Sequence, residues 1–145
     1  MNPTQDFTLI GRNEEPADEE GAENDVDEDE VFSFVASSIP SVWALESLLL
    51  LKRVAPKGRR ADELIVELRS STTAVSEALL RLHGIGLIVE EAGTHYYRPA
   101  SPTLAQLVME IERLYALKPA AMIKTIIMGN NKALQIFANS FKLKE

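Results

Sequence analysis

No cysteine occurs in the 145 residues, and that one absence excludes disulfides, thiolate zinc sites, iron–sulfur clusters and a cysteine nucleophile. Histidine is nearly as scarce: with only His83 and His95, a protein metal site is not expected, and neither is a cofactor. The chain has no phosphate-cradling glycine loop, no paired histidines at metal spacing and no nucleophile elbow, so catalysis is not expected. Its start is neither basic nor followed by an apolar run, which leaves no secretory signal and points to the cytoplasm. At 16.1 kDa there is room for one domain with a tail. A content of 46% hydrophobic residues lets most of the chain bury a core.

Charge is unevenly spread. Residues 1–30 hold twelve of the 22 acids against Arg12 alone and carry −11, whereas residues 31–145 carry +4. The sequence pI of 4.9 therefore describes the first segment, not the body. With few large apolar groups and dense like charge, residues 1–30 cannot repay the roughly 1–2 kcal/mol per residue that ordering costs, and they read as a disordered acidic tail.

Residues 31–51, VFSFVASSIPSVWALESLLLL, are the most apolar stretch, and their length raises the possibility of a membrane span. Pro40, Glu46 and five serines argue against insertion. A break at Pro40 is simpler: Phe32, Phe34, Val35 and Ile39 form an apolar arm, and Ser41 opens a helix reaching about residue 54. Trp43, Leu45 and Leu48 to Leu51 cover nearly the whole circumference of that helix, so it must be buried on more than one side. The arm folded over a small helical core would do this, and so would a homodimer seam.

Shorter elements follow. Ala61–Leu68 reads as a helix with Leu64, Ile65 and Leu68 inward. Residues 72–83 read as a second helix, with Val75, Ala78, Leu79 and Leu82 at the spacing of one helical face and Gly86 as its stop. Two strands, 87–91 and 95–98, are joined by Glu91-Ala92-Gly93-Thr94 as a hairpin. Ser101 and Pro102 then cap a helix whose inner face carries Leu104, Leu107, Val108, Ile111, Leu114 and Tyr115. Pro119 starts another, with Met122, Ile123, Ile126 and Ile127 inward, stopping near Gly129. Asn130 or Asn131 caps a final short helix with Leu134, Phe137 and Phe141.

Helix, helix, turn, helix and hairpin is the element order of a winged helix-turn-helix domain. The stretches from Ala61-Asp62-Glu63-Leu64 to Ser71, Val75-Ser76-Glu77-Ala78-Leu79 with Leu82, Gly86-Leu87-Ile88-Val89 and Tyr96-Tyr97-Arg98 resemble winged-helix transcription regulators of the MarR-like kind. SVWALESLLLLKR and FANSFKLK also resemble an uncharacterised group of bacterial winged-helix proteins. The winged-helix likeness covers residues 41 to about 101. It implies a mainly α fold with a small β-hairpin, in three parts: the disordered acidic tail (1–30), an apolar arm with the winged-helix domain (31–101) and a C-terminal helical extension (102–145).

It also implies that residues 72–83 form the recognition helix and residues 91–95 the wing tip. Thr72, Thr73, Ser76 and Arg81 then face DNA, with Glu77 and Leu80 as less fitting neighbours. Lys57, Arg59, Arg60 and Arg69 bound the second helix, while His95 and Arg98 lie on the hairpin within reach of phosphates. Glu90 and Glu91 have the wrong sign for such contacts. His83 reads as a cap or partly buried side chain, and His95 alternatively as simply exposed. The expectation is a DNA-binding transcription regulator, dimeric, cytoplasmic and free of the membrane. The alternative is a winged-helix module that contacts a protein partner through Leu80, Glu77 and the wing without DNA. The acidic tail either competes with DNA for the basic cluster or only solubilises the chain.

Overall fold

Pro40 divides the apolar stretch into two helices. In a computed structural model, which describes residues 26–129, helix α1 (Glu28–Ser38) ends before the proline and α2 (Val42–Val54) begins behind it, bent by 115°. Ser41 caps α2, its Oγ accepting from the Ala44 N–H at 3.1 Å. Among the described residues no single helix is long and apolar enough to cross a membrane.

The expected arm is thus a helix, and the tail boundary moves: residues 28–30 belong to α1, while residues 1–25 lie outside the described residues. The clustered acids oppose helix formation less than expected because Glu28, Asp29 and Glu30 occupy the first turn, where the helix dipole favours negative charge. One turn further in, Val31 and Val35 are fully buried. Helix α2 is covered within one chain around most of its circumference, although Trp43, expected to be buried, is 38% exposed. Leu45, Leu48, Leu49, Leu50 and Leu51 are all buried within a single chain, and α2 packs against three elements defined below.

Residues Arg59–Arg60 form a two-residue strand, β1, which the sequence reading did not anticipate. Helix α3 (Ala61–Leu68) follows directly, its first turn fastened by Glu63 Oε1 accepting from the Arg60 N–H at 2.8 Å. It stops at Arg69, which is left-handed at φ 56°, and the Ser70 N–H closes back on the Ile65 carbonyl at 2.9 Å. Ser71 then caps α4 (Thr72–Ile85), whose Val75, Ala78, Leu79 and Leu82 are buried as the periodicity required. Gly86, at φ 93°, ends α4 two residues beyond the expected 83.

Strands β2 (Ile88–Glu91) and β3 (Thr94–Tyr97) form the expected hairpin. Ala92 and Gly93 both have positive φ, the arrangement of a type I′ turn, whose twist suits a two-residue hairpin. β1 pairs with the free edge of β3, giving a three-stranded antiparallel sheet of order β1-β3-β2. The expected lone hairpin is therefore corrected to a small sheet. Helix α2 packs against α3, α4 and β3.

Two further helices complete the described chain. In α5 (Pro102–Leu117), Ser101 caps the start, proline takes the first turn, and Val108, Ile111 and Leu114 are buried. Two polar contacts bind α5 to α2: Lys52 Nζ donates to Glu112 at 2.8 Å, and the Tyr115 hydroxyl donates to Glu46 at 2.7 Å. That carboxylate, with help from burial, pushes the Tyr115 hydroxyl up to about 12. Helix α6 (Pro119–Gly129) buries Met122 and Ile126, but Ile127, expected inward, is half exposed. The final short helix expected around Leu134, Phe137 and Phe141 lies outside the described residues.

One buried hydroxyl is a liability. Ser47, fully buried on α2, has no hydrogen-bond partner at Oγ among the described residues. An unpaired buried hydroxyl costs about 1–3 kcal/mol, and alanine removes the group without leaving a large void. Ser47→Ala is expected to raise the melting temperature by about 4–8 °C, the equivalent of about 1 kcal/mol in a domain of this size. A circular-dichroism melt with an unchanged or lower midpoint would show that the hydroxyl is paired in solution.

Candidate nucleic-acid interface

The fixed points of this surface are the residues α4 buries. With Val75, Ala78, Leu79 and Leu82 held inward and about 100° of rotation per residue, the outermost line of the helix runs through Thr73, Glu77, Leu80 and Gly84. Thr72 and Ser76 lie on one flank, towards the side from which His83 meets the sheet. Arg81 lies on the other, where it lines a groove with Pro40, Ser41 and Ile85. All four α4 residues singled out from the sequence, Thr72, Thr73, Ser76 and Arg81, are exposed. The crest between the two flanks nevertheless carries a carboxylate, Glu77, and an apolar side chain, Leu80, which is 75% exposed.

The cations fall into two groups. Arg59 Nε donates to Glu67 at 2.6 Å, Arg60 Nε lies 3.4 Å from Asp62, and Arg98 reaches Glu91 at 3.1 Å while resting over the Tyr96 ring. Each has its own carboxylate within a few residues or across the hairpin, and its outward field is weakened accordingly. Lys57, Arg69 and Arg81 are exposed and make no ion pair among the described residues. Arg69 occupies the turn between α3 and α4. Asp62, Glu63 and Glu67 line the outer face of α3 around the exposed Val66, an acidic patch that the count of arginines did not reveal.

His95 is corrected outright as a surface residue: it is only 8% exposed. Its place on the central strand turns it inward, where Nδ1 lies 3.1 Å from Nε2 of His83 in the last turn of α4. Burial holds the His95 imidazole below its ordinary value, and the neighbouring His83 acts in the same direction. Glu90, its cross-strand partner, opposes both. His83 thus has the ring partner that the sequence did not disclose. Twelve residues separate the two histidines, a spacing that matches no local motif.

Thr72, Thr73 and Ser76 offer hydroxyls, and Lys57, Arg69 and Arg81 offer unneutralised charge, a set suited to phosphate oxygens more than to a dense code of base contacts. No family model matches the chain, and neither a curated protein nor a solved structure matches it.

Proposed function

We infer that the chain is a winged helix-turn-helix protein that binds duplex DNA in the cytoplasm as a homodimer and regulates transcription without catalysing a reaction. The order helix, β1, helix, helix, β2, β3, with β1 on the outer edge of β3, supports the winged-helix assignment. The observation that carries the DNA reading is helix α4, anchored by four buried residues and exposing Thr72, Thr73, Ser76 and Arg81 just beyond a turn that presents Arg69. Contacts from Lys57, Arg69 and Arg81 to phosphates supply affinity, with Arg59, Arg60 and Arg98 contributing less because of their carboxylates. Exposed Met109 and Leu117 on α5, with Ile127 and Met128 on α6, provide apolar surface for the second subunit.

Fluorescence anisotropy with a random duplex tests this directly. Non-specific Kd values in the range of about 10⁻⁴–10⁻⁶ M are expected, with log K falling against log salt at a slope of about −3 per protomer for three phosphate contacts. Arg69→Gly is the most informative variant. Glycine relieves the left-handed backbone at φ 56°, so stability holds or rises by about 1 kcal/mol, while the salt slope shrinks by about one. Removing residues 1–25 takes away much of the acidic segment and is expected to tighten binding at low salt. No binding at low salt, with or without that segment, would overturn the DNA reading.

A second reading has its own observation. Glu77 and the exposed Leu80 occupy the crest of α4, and Val66 stands exposed on the outer face of α3, the composition of a protein-binding surface. Under this reading, a partner docks on Leu80, Glu77 and the hairpin. Its affinity is nearly indifferent to salt and is lost with Leu80→Asp.

A further inference from the structure

The last turn of α4 lies against the hairpin because Gly86 reverses the chain straight into β2. This packing gathers three potential ligands from three elements: His83 of α4, Glu90 of β2 and His95 of β3. Their donor atoms all lie within 4.8 Å of one another. Glu90 and His95 are directly opposed in the strand register and therefore share a face of the sheet, the face on which His83 closes. The carboxylate of Glu90 makes no ion pair or hydrogen bond among the described residues and is exposed, so the cluster opens to solvent on that side.

We propose that His83, Glu90 and His95 bind one divalent transition-metal ion, zinc in the first instance, with water in the remaining position. The ring nitrogens are 3.1 Å apart; metal–nitrogen bonds of about 2.0–2.1 Å would span that gap at an angle of about 98°, between the octahedral and tetrahedral values. The rings are tilted by 60° with centroids 5.2 Å apart, so they are not stacked and both can turn an edge toward a common point. Two imidazoles with one carboxylate is a donor set that suits zinc and its neighbours in the first transition row better than magnesium or calcium, which prefer all-oxygen shells. Without an ion the two rings share a proton in a hydrogen bond. With an ion, both lone pairs point at the metal, and α4 is cross-linked to both strands of the hairpin. The site stands independently of whether the protein binds DNA.

The test uses the full chain, stripped with a chelator and titrated with zinc chloride against a chromophoric competitor. One ion per chain is expected to bind with a Kd in the micromolar range or tighter. Cobalt substituted at the site is expected to give the visible absorption of a four-coordinate complex. Glu90→Gln changes an exposed side chain, and His83→Gln changes one that is only partly buried. Each is expected to leave the circular-dichroism spectrum intact and to weaken zinc at least about tenfold, since even hydrogen-bond partners of ligands are worth about 10–100-fold in affinity. Because the chain has only two histidines, proton NMR provides a second readout that needs no variant: both imidazole signals shift up to one equivalent of zinc and then stop. Loose binding that His83→Gln leaves unchanged would place the ion on the acidic N-terminal segment and overturn the proposal. Imidazole resonances indifferent to zinc would do the same.

Discussion

Leu48→Ala is expected to remove about 3–5 kcal/mol of stability, the upper part of the range for truncating a leucine in a closed core. Leu48 is fully buried on α2, the helix that packs against α3, α4 and β3 together, so no single neighbour can move in to fill the space. Marginal domains hold about 5–15 kcal/mol in all, and a loss of this size lowers the melting temperature by about 15 °C or more. The measurement is a thermal melt repeated over a wide range of protein concentration. A loss that does not depend on concentration identifies Leu48 as part of the core of one chain. If the difference between wild type and variant instead changes with concentration, beyond the shift that dimerisation gives both, α2 is exchanging cover with a second subunit and Leu48 is not sealed within one chain.

Gly58→Ala is expected to cost about 3 kcal/mol, although it adds a single methyl group. A Cβ at Gly58 would stand 2.5 Å from the His95 carbonyl oxygen, 2.7 Å from Thr94 Cγ2 and 2.8 Å from Tyr96 Cδ1. The first of these is backbone of the central strand and cannot rotate aside, so β1 has to lift from β3 and the pairing of Arg59 with His95 is lost. Gly84→Ala is the matched control. Its Cβ would meet nothing within 4 Å, and within a helix the added methyl is expected to stabilise by about 0.5–1 kcal/mol. Parallel melts of the two variants should move in opposite directions. Amide exchange should quicken in β1 and β3 for Gly58→Ala alone. If the two alanines behaved alike, the close seat of residue 58 under β3 would be wrong.

What the sequence disclosed follows the reach of each signal. The face of α4 was legible because Val75, Ala78, Leu79 and Leu82 repeat at helical spacing. Its ends, and the start of α5, were legible because Ser71, Gly86, Ser101 and Pro102 act on their own backbone within a turn. Strand β1 was not. Two arginines carry no alternation, and their extended conformation comes from an edge of β3 that lies 34 residues further on in the pairing of Arg60 with Thr94. Helix α1 was hidden because its first turn shares its composition with the acidic segment, and only the burial of Val31 and Val35 tells them apart.

Exposure on the candidate surface was legible where helical phase decides it and hidden where tertiary contacts do. Thr73 and Arg81 face outward as the wheel requires. By contrast, the carboxylates that quiet Arg59, Arg60 and Arg98 arrive through packing, and the burial of His95 depends on which side of the sheet α4 covers. The meeting of His83 with His95 needs both the phase of a helix and the register of a hairpin, and neither alone brings them together.

The pairing of the first and last described helices has a further consequence. Lys118, just before α6, grips Glu28 at the start of α1 at 2.6 Å, and Gly129 at the far end of α6 seats where a side chain would strike the backbone of Ala36. The two helices therefore run side by side in the same direction, and α1 also rests on α5. Everything that shelters Val31 and Val35 from that side is thus among the last of the described chain to be synthesised. During translation, at about 5–20 residues per second, the nascent polypeptide must carry a sticky leading helix for several seconds before its cover emerges from the ribosome.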